Sequence, residues 1–256
     1  MGRARHLSTA PIVEAVMDVQ FTGIDLGLQE LEPTLDGFLS LGWQKRYAHQ
    51  HQFAATLSPA SAAGPVATDV SSHLESIAMV SPDESQLVVI RRDRITASRV
   101  KSYTEWQDLW NDLERIFEPY VAGARPKEVR RIAARFINRI SPHPSFSKFD
   151  DVLERPPQPV LGKGFEEARI TNFLRRHVVE HIDGGLTANL TIGTVVAEPG
   201  EDTTQVSPLV LDIDVEKQCT LQADLKQLQP YFDQIRKAKN ALFFGSLTDL
   251  CLEVYE

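Results

Sequence analysis

Two stretches of this chain, IVEAVMDVQF at 12–21 and VRRIAARFINRI at 129–140, alternate apolar and polar residues along their length. That period of two is the signature of a strand with one dry and one wet face, and it constrains the fold more than any other feature. In the first run Val13, Ala15, Met17, Val19 and Phe21 share a face, with Glu14, Asp18 and Gln20 opposite. In the second, Arg131, Arg135 and Arg139 share a face with Ala133 and Ile137, while Ala134, Phe136, Asn138 and Ile140 share the other. A chain with such strands needs further strands beside them and a cover over the apolar side.

The cover is legible too. SYTEWQDLWNDLERIFEPYV, from 102 to 121, spaces Tyr103, Trp106, Leu109, Trp110, Leu113, Ile116, Phe117 and Tyr120 three and four apart, which predicts a helix with a wide aromatic stripe. Ser102 or Thr104 is its expected cap. A second long helix is predicted over about 222–243, with Leu225, Leu228, Phe232, Ile235 and Leu242 on one side and Gly245 as its stop. A shorter helix is expected over 24–41, capped by Asp25 and kinked or restarted at Pro33.

Strands are expected at 43–57, 75–80, 86–100, 166–182, 185–197 and 207–218. The SPDES turn joins the second and third of these, and DGG joins the fourth and fifth as a hairpin. SPASAAGPVATDVSS, at 58–72, is small, polar and proline-broken, so an exposed, mobile loop is expected there. The segment 246–256 closes the chain as a short helix or strand.

Side by side, these elements describe an α+β protein of two pattern-related β-α-β-β-β-α halves, forming two related antiparallel sheets or one continuous sheet, with long helices packed on one face. The expected divisions are a disordered tail at 1–10, an N-terminal half at 11–124 and a C-terminal half at 125–256, as two units or one continuous domain. The halves share a pattern and negligible identity.

A net charge of −8 argues against indiscriminate binding to nucleic acid, although one basic face remains compatible with it. No apolar run reaches the roughly 18 residues of a membrane span, so no membrane partner is expected. The two cysteines, Cys219 and Cys251, lack metal or redox spacing and read as inert thiols in a reducing cytoplasm.

No phosphate loop, dinucleotide fingerprint, zinc-peptidase helix or serine elbow is present. Candidate chemistry rests on constellations instead. Arg131, Arg135 and Arg139 form one basic row; Arg91, Arg92 and Arg94, with Arg99 and Lys101, form a second; Arg175, Arg176 and His177 form a third. If they converged, they would make a cleft for phosphate or nucleic acid, since guanidinium grips phosphate with two parallel bonds. Alternatively each row is paired to acids on a neighbouring strand, and the acids are plentiful enough to favour this. Asp212 and Asp214 point one way on their strand with Glu216, weak candidates for a divalent cation or acid–base work, and equally the partners of the arginine row. His177 and His181 lack a further ligand for zinc.

APIVEAVMDVQF at the start, AARFINRI in the middle and IRKAKNALFFGSLTD near the end also resemble, in that order, a sporadically distributed family of uncharacterised bacterial and archaeal proteins of about this length. The resemblance implies a prokaryotic protein scattered among genomes in the manner of accessory genes. It implies no activity and no site residues. The function expected from all this is a non-enzymatic binding protein acting through a protein partner or self-association, with no cofactor. The alternative is a nucleic-acid or nucleotide-phosphate binder in a bacterial defence or toxin–antitoxin setting, and the third is a metal-dependent hydrolase using Asp212 and Asp214.

Overall fold

The two alternating runs pair with each other. In the computed structural model, which describes residues 7–55, 68–100, 103–158, 170–204 and 206–256, β1 (Ile12–Thr22) lies antiparallel to β6 (Glu128–Ile140), with Met17 opposite Ala134 and Asp18 opposite Ala133. Around this pair grows one nine-stranded antiparallel sheet in the order β2-β3-β4-β5-β1-β6-β9-β8-β7, and the fold is α+β.

Beside β1 stand β5 (Arg94–Val100), β4 (Gln86–Arg91), β3 (Thr68–Val80) and β2 (Gln44–Ala55). Beside β6 stand β9 (Leu209–Leu221), β8 (Leu186–Thr194) and β7 (Leu174–Ile182). The DGG turn closes the β7–β8 hairpin with Gly184 and Gly185 at positive φ, a conformation glycine adopts without a Cβ clash.

The first half holds one strand more than expected. The run 86–100 folds as two strands turning at Arg91–Arg94, because Arg92 and Asp93 form a tight reversal in which Tyr120 Oη donates to the Arg92 carbonyl at 2.8 Å. The expected loop at 58–72 is also shortened: 56–67 lie outside the described residues, but 68–72 already belong to β3, drawn into pairing by β2. Of the expected tail, 1–6 lie outside the described residues, and the Thr9 amide donates to the Tyr255 carbonyl at 3.2 Å. Residues 159–169 also lie outside them, so the start expected for the fourth of those strands does too.

Helix ends depart from expectation in specific ways. The 24–41 segment breaks at Pro33 into α1 (Leu28–Leu31), a 3-10 turn and α2 (Asp36–Leu39). Its N-terminal cap comes from Glu30, whose carboxylate accepts from the Gly27 amide at 2.8 Å, rather than from Asp25. The aromatic helix, α3 (Trp106–Ala124), has Glu105 at its N-cap without a side-chain bond; Ser102 lies outside the described residues, and the Thr104 hydroxyl bonds Asp108. α4 (Leu225–Ser246) runs through Gly245 to Ser246, and α5 (Asp249–Glu253) follows.

Both long helices bury their apolar stripes. Trp106, Trp110 and Tyr120 are all buried, so the aromatic stripe of α3 is core rather than a free surface. Phe21 of β1 meets Phe117 and Tyr120, with ring centroids 5.9 and 5.2 Å away. Phe136 of β6 stacks on Trp106, and Phe232 of α4 meets Trp110 edge-on at 5.5 Å. Fully burying a side chain of this size stabilises by about 1.5–3 kcal/mol, so this seam dominates the core energetics.

Candidate functional site

Strand pleating delivers the arginine row of β6 to the face opposite its buried Ile132, Ala134 and Phe136, and the carboxylates of β9 to the same face. Arg135 lies across from Asp214 in register, yet its guanidinium reaches diagonally to Asp212, with Nε and Nη2 bonds of 2.9 and 2.6 Å. Arg131 donates to Glu216 at 2.7 Å and to Asp18 of β1 at 2.8 Å. Arg139 grips both oxygens of Glu201 at 2.8 Å. That guanidinium pulls the Glu201 carboxyl down to about 2. Asp214 shifts the other way: burial raises it against the pull of Arg131, whose guanidinium is 3.8 Å off.

The second cluster joins this network at one point. Arg94 of β5 approaches Asp18 at 3.6 Å, so Asp18 sits between the two basic clusters. Gln20, with its amide oxygen turned toward them, accepts from Arg94 Nε at 3.2 Å and Arg131 Nη1 at 3.3 Å. Arg92 donates to the Ile24 carbonyl, Arg91 lies 3.9 Å from Glu75, and Arg99 binds the buried Asp112 of α3 at 2.6 Å. Lys101 lies outside the described residues. Charge-assisted pairs of this kind consume the donors that would grip phosphate. Asn138, buried between the arginines in sequence, is structural: its amide donates to the Leu211 carbonyl at 2.9 Å beside the bulge in β1 between Ile12 and Glu14.

The third cluster stands apart. β7 is three strands from β6, about 14 Å across the sheet. Its residues split between faces. Arg176 pairs in register with Thr191 and bonds Asn189, on the face of the carboxylates. Arg175 and His177 pair with Ile192 and Leu190, on the face toward α4. The three clusters therefore do not converge.

On the α4 side of β7 lies a cleft of about 360 Å³. Arg175 and His177 line it from β7, Leu190 and Ile192 from β8, and Ala241, Leu242 and Gly245 from α4. Arg155 completes the rim, placed there by the bridge between Leu153 and Leu247 and by the Glu154 amide donating to the Ser246 carbonyl at 3.1 Å. Neither Arg155 nor Arg175 has a carboxylate within ion-pair range among the described residues, and Arg175 Nε is buried without a hydrogen-bond acceptor. Burial, then the nearby Arg155, pulls the Arg175 guanidinium below its ordinary range. Sequence reasoning singled out Arg175 but not Arg155, which sits in the ERPPQP break where no periodicity marks a face.

Beyond β7 there is no strand among the described residues, and Leu174 is 75% and Val178 56% exposed.

Among the described residues no group of histidines, cysteines and carboxylates is arranged to hold a metal ion, and no helix is long and apolar enough to cross a membrane. Cys251 is buried and its thiol pushed up to about 12 by that burial; Cys219 is half-buried and also raised by burial. No family model matches this chain, and no curated protein matches it.

Proposed function

We propose that this chain is a non-enzymatic binding protein that works through self-association, with a second copy of β7 laid antiparallel against the first. The observation that carries this reading is the β7 edge, beyond which no strand pairs among the described residues and along which Leu174 and Val178 are exposed. Such an edge is a template for strand addition unless something blunts it. Here the charges on the edge are self-complementary. A twofold axis at Val178 sets Arg176 opposite Glu180 twice and Val178 against itself, and the register shift between Val179 and Ile182 ends the regular pairing beyond Glu180. Moving the axis one residue either way sets Arg176 opposite Val178 or Ile182, and the charge match is lost. A closed pair of this kind is isologous, the commonest symmetry of soluble oligomers.

The same proposal includes a cytoplasmic setting, which two free thiols support, and membership of the prokaryotic family that the three sequence stretches resemble. It also includes pattern-related halves with both long helices on one face. Each half opens on a central strand, β1 or β6, and ends on a long helix; Phe136 meeting both Trp106 of α3 and Lys239 of α4 supports a shared face.

Sedimentation equilibrium tests the reading. R176E and E180R should each weaken self-association roughly tenfold or more, since two attractive cross-strand pairs become repulsive. The double variant R176E/E180R should restore it, and an equimolar mixture of the two single variants should pair. A wild-type chain that stays monomeric to about 1 mM, a concentration at which even weak pairing registers, ends the proposal.

A further inference from the structure

The cleft between β7, β8 and the last turns of α4 combines three properties that its own walls do not account for. Its rim carries two guanidinium groups with no acid beside them among the described residues, in a chain whose other arginine rows are paired to carboxylates. One of them, Arg175, has its Nε buried with no acceptor among the described residues, which native structures seldom leave unrelieved. The third property is Gly245. It lies in the last turn of α4, next to the terminal Ser246. No backbone demand explains it, because its φ is not among the positive ones, and no close packing explains it, because a Cβ built there meets nothing within 4 Å. What the missing side chain does is leave the cleft open.

We propose that this cleft binds a small organic anion, its carboxylate or phosphate head held by Arg175 and Arg155 and its aliphatic or aromatic body lying over Gly245 between Leu190, Ile192 and Leu242. The volume of about 360 Å³ falls in the range of small-molecule sites, and apolar walls with a few convergent polar groups are their usual composition. Arg175 supplies a guanidinium from the β7 wall, and Arg155 supplies a second cation from the rim. The C-terminal end of α4 contributes partial negative charge nearby, on the order of half an elementary charge, which two full guanidinium charges outweigh. The Ser246 carbonyl at that end is already bonded to the Glu154 amide, so it does not compete for the arginines. This site goes beyond self-association through the β7 edge and needs only one chain.

The probe is 8-anilinonaphthalene-1-sulfonate, an anionic head on an aromatic body, titrated into the full chain and followed by its fluorescence. Saturable binding displaced by octanoate or by octyl phosphate is expected, and the order of the two competitors identifies the preferred head. R175M should weaken binding by about tenfold or more, the loss of one charge-assisted hydrogen bond. G245F, which keeps both charges and replaces a helical glycine by a better helix former, should abolish it by filling the cleft. Thermal melts of both variants confirm that they fold. Wild-type affinity in either folded variant overturns the proposal, as does absence of saturable binding by wild type. R176E, which sets like charges along the β7 edge, should bind the probe as wild type does; loss of binding there would mean that one chain does not hold the site, whereas loss of self-association alone bears only on the edge.

Discussion

Lys239 is buried on α4 with 8% of its surface exposed, and its ammonium lies 4.0 Å from the centroid of the Phe136 ring. Two effects oppose each other there. Burial, and then Arg236 one turn back, drive its pKa from 10.5 down to about 8. The face of Phe136 attracts the cation and pulls the other way, by about 1–2 kcal/mol for a desolvated pair. The downward shift corresponds to about 3 kcal/mol at 1.36 kcal/mol per pK unit, and the ring leaves about 2 kcal/mol as the net cost of keeping the charge inside. The sign follows from proton counts. Because the folded pKa lies below the unfolded one, the unfolded chain binds more protons between about pH 8 and 10.5. Stability contributed by this group therefore rises with pH across that window, and the full cost is present below it. Lys239→Met keeps the length and helix propensity of the side chain and removes the charge. Urea unfolding followed by tryptophan fluorescence should show K239M more stable than wild type by about 2 kcal/mol at pH 7, with the advantage shrinking toward pH 10. Other groups titrate equally in both proteins and cancel in the difference. Parallel profiles from pH 7 to 10, or a variant less stable than wild type at pH 7, would refute the balance drawn here.

R131M should lower stability to urea by about 2–3 kcal/mol, since it leaves the buried Asp18 with Arg94 alone and the half-buried Glu216 without its guanidinium, and a change below about 0.5 kcal/mol would mean the row is ornamental. Glu201 is held near 2 by Arg139, so the stability it contributes is complete above its ordinary carboxylate range and is lost as the pH falls from about 4.5 to 2. E201Q should therefore melt lower than wild type at neutral pH and lose less on acidification; equal melting slopes for the two proteins between pH 5 and 2 would contradict the pairing.

The arginine run of β6 shows how far a sequence reaches. Alternation placed Arg131, Arg135 and Arg139 on one face, and the same rule placed Asp212, Asp214 and Glu216 on one face of another strand. Period-two geometry is local, so it is legible without tertiary knowledge. That the two rows meet was one of the two readings charge allowed, and the pairing scheme was not legible. Arg135 reaches Asp212 rather than its register partner Asp214, and Arg131 divides itself between Glu216 and an acid on β1, because the length of the guanidinium arm and the slant between strands decide which oxygen is nearest. The helices were legible in their stripes and misread at their ends. Gly245 reads as a stop by composition, yet α4 passes through it, since the bridge from Leu153 to Leu247 holds the chain against the last turn.

What the sequence by itself determined is periodicity: which residues share a face, where the long helices lie, and that an antiparallel sheet must back them. The order of nine strands was decided by tertiary structure, as were the turn that splits 86–100 and the gathering of Arg155, Arg175 and Gly245 around one cleft. Arg155 and Arg175 are 20 residues apart, Gly245 lies 70 further on, and the three share no period. Only the packing of α4 on β9, with β8 and β7 beyond it in the sheet, brings them together, and no local rule encodes such a contact.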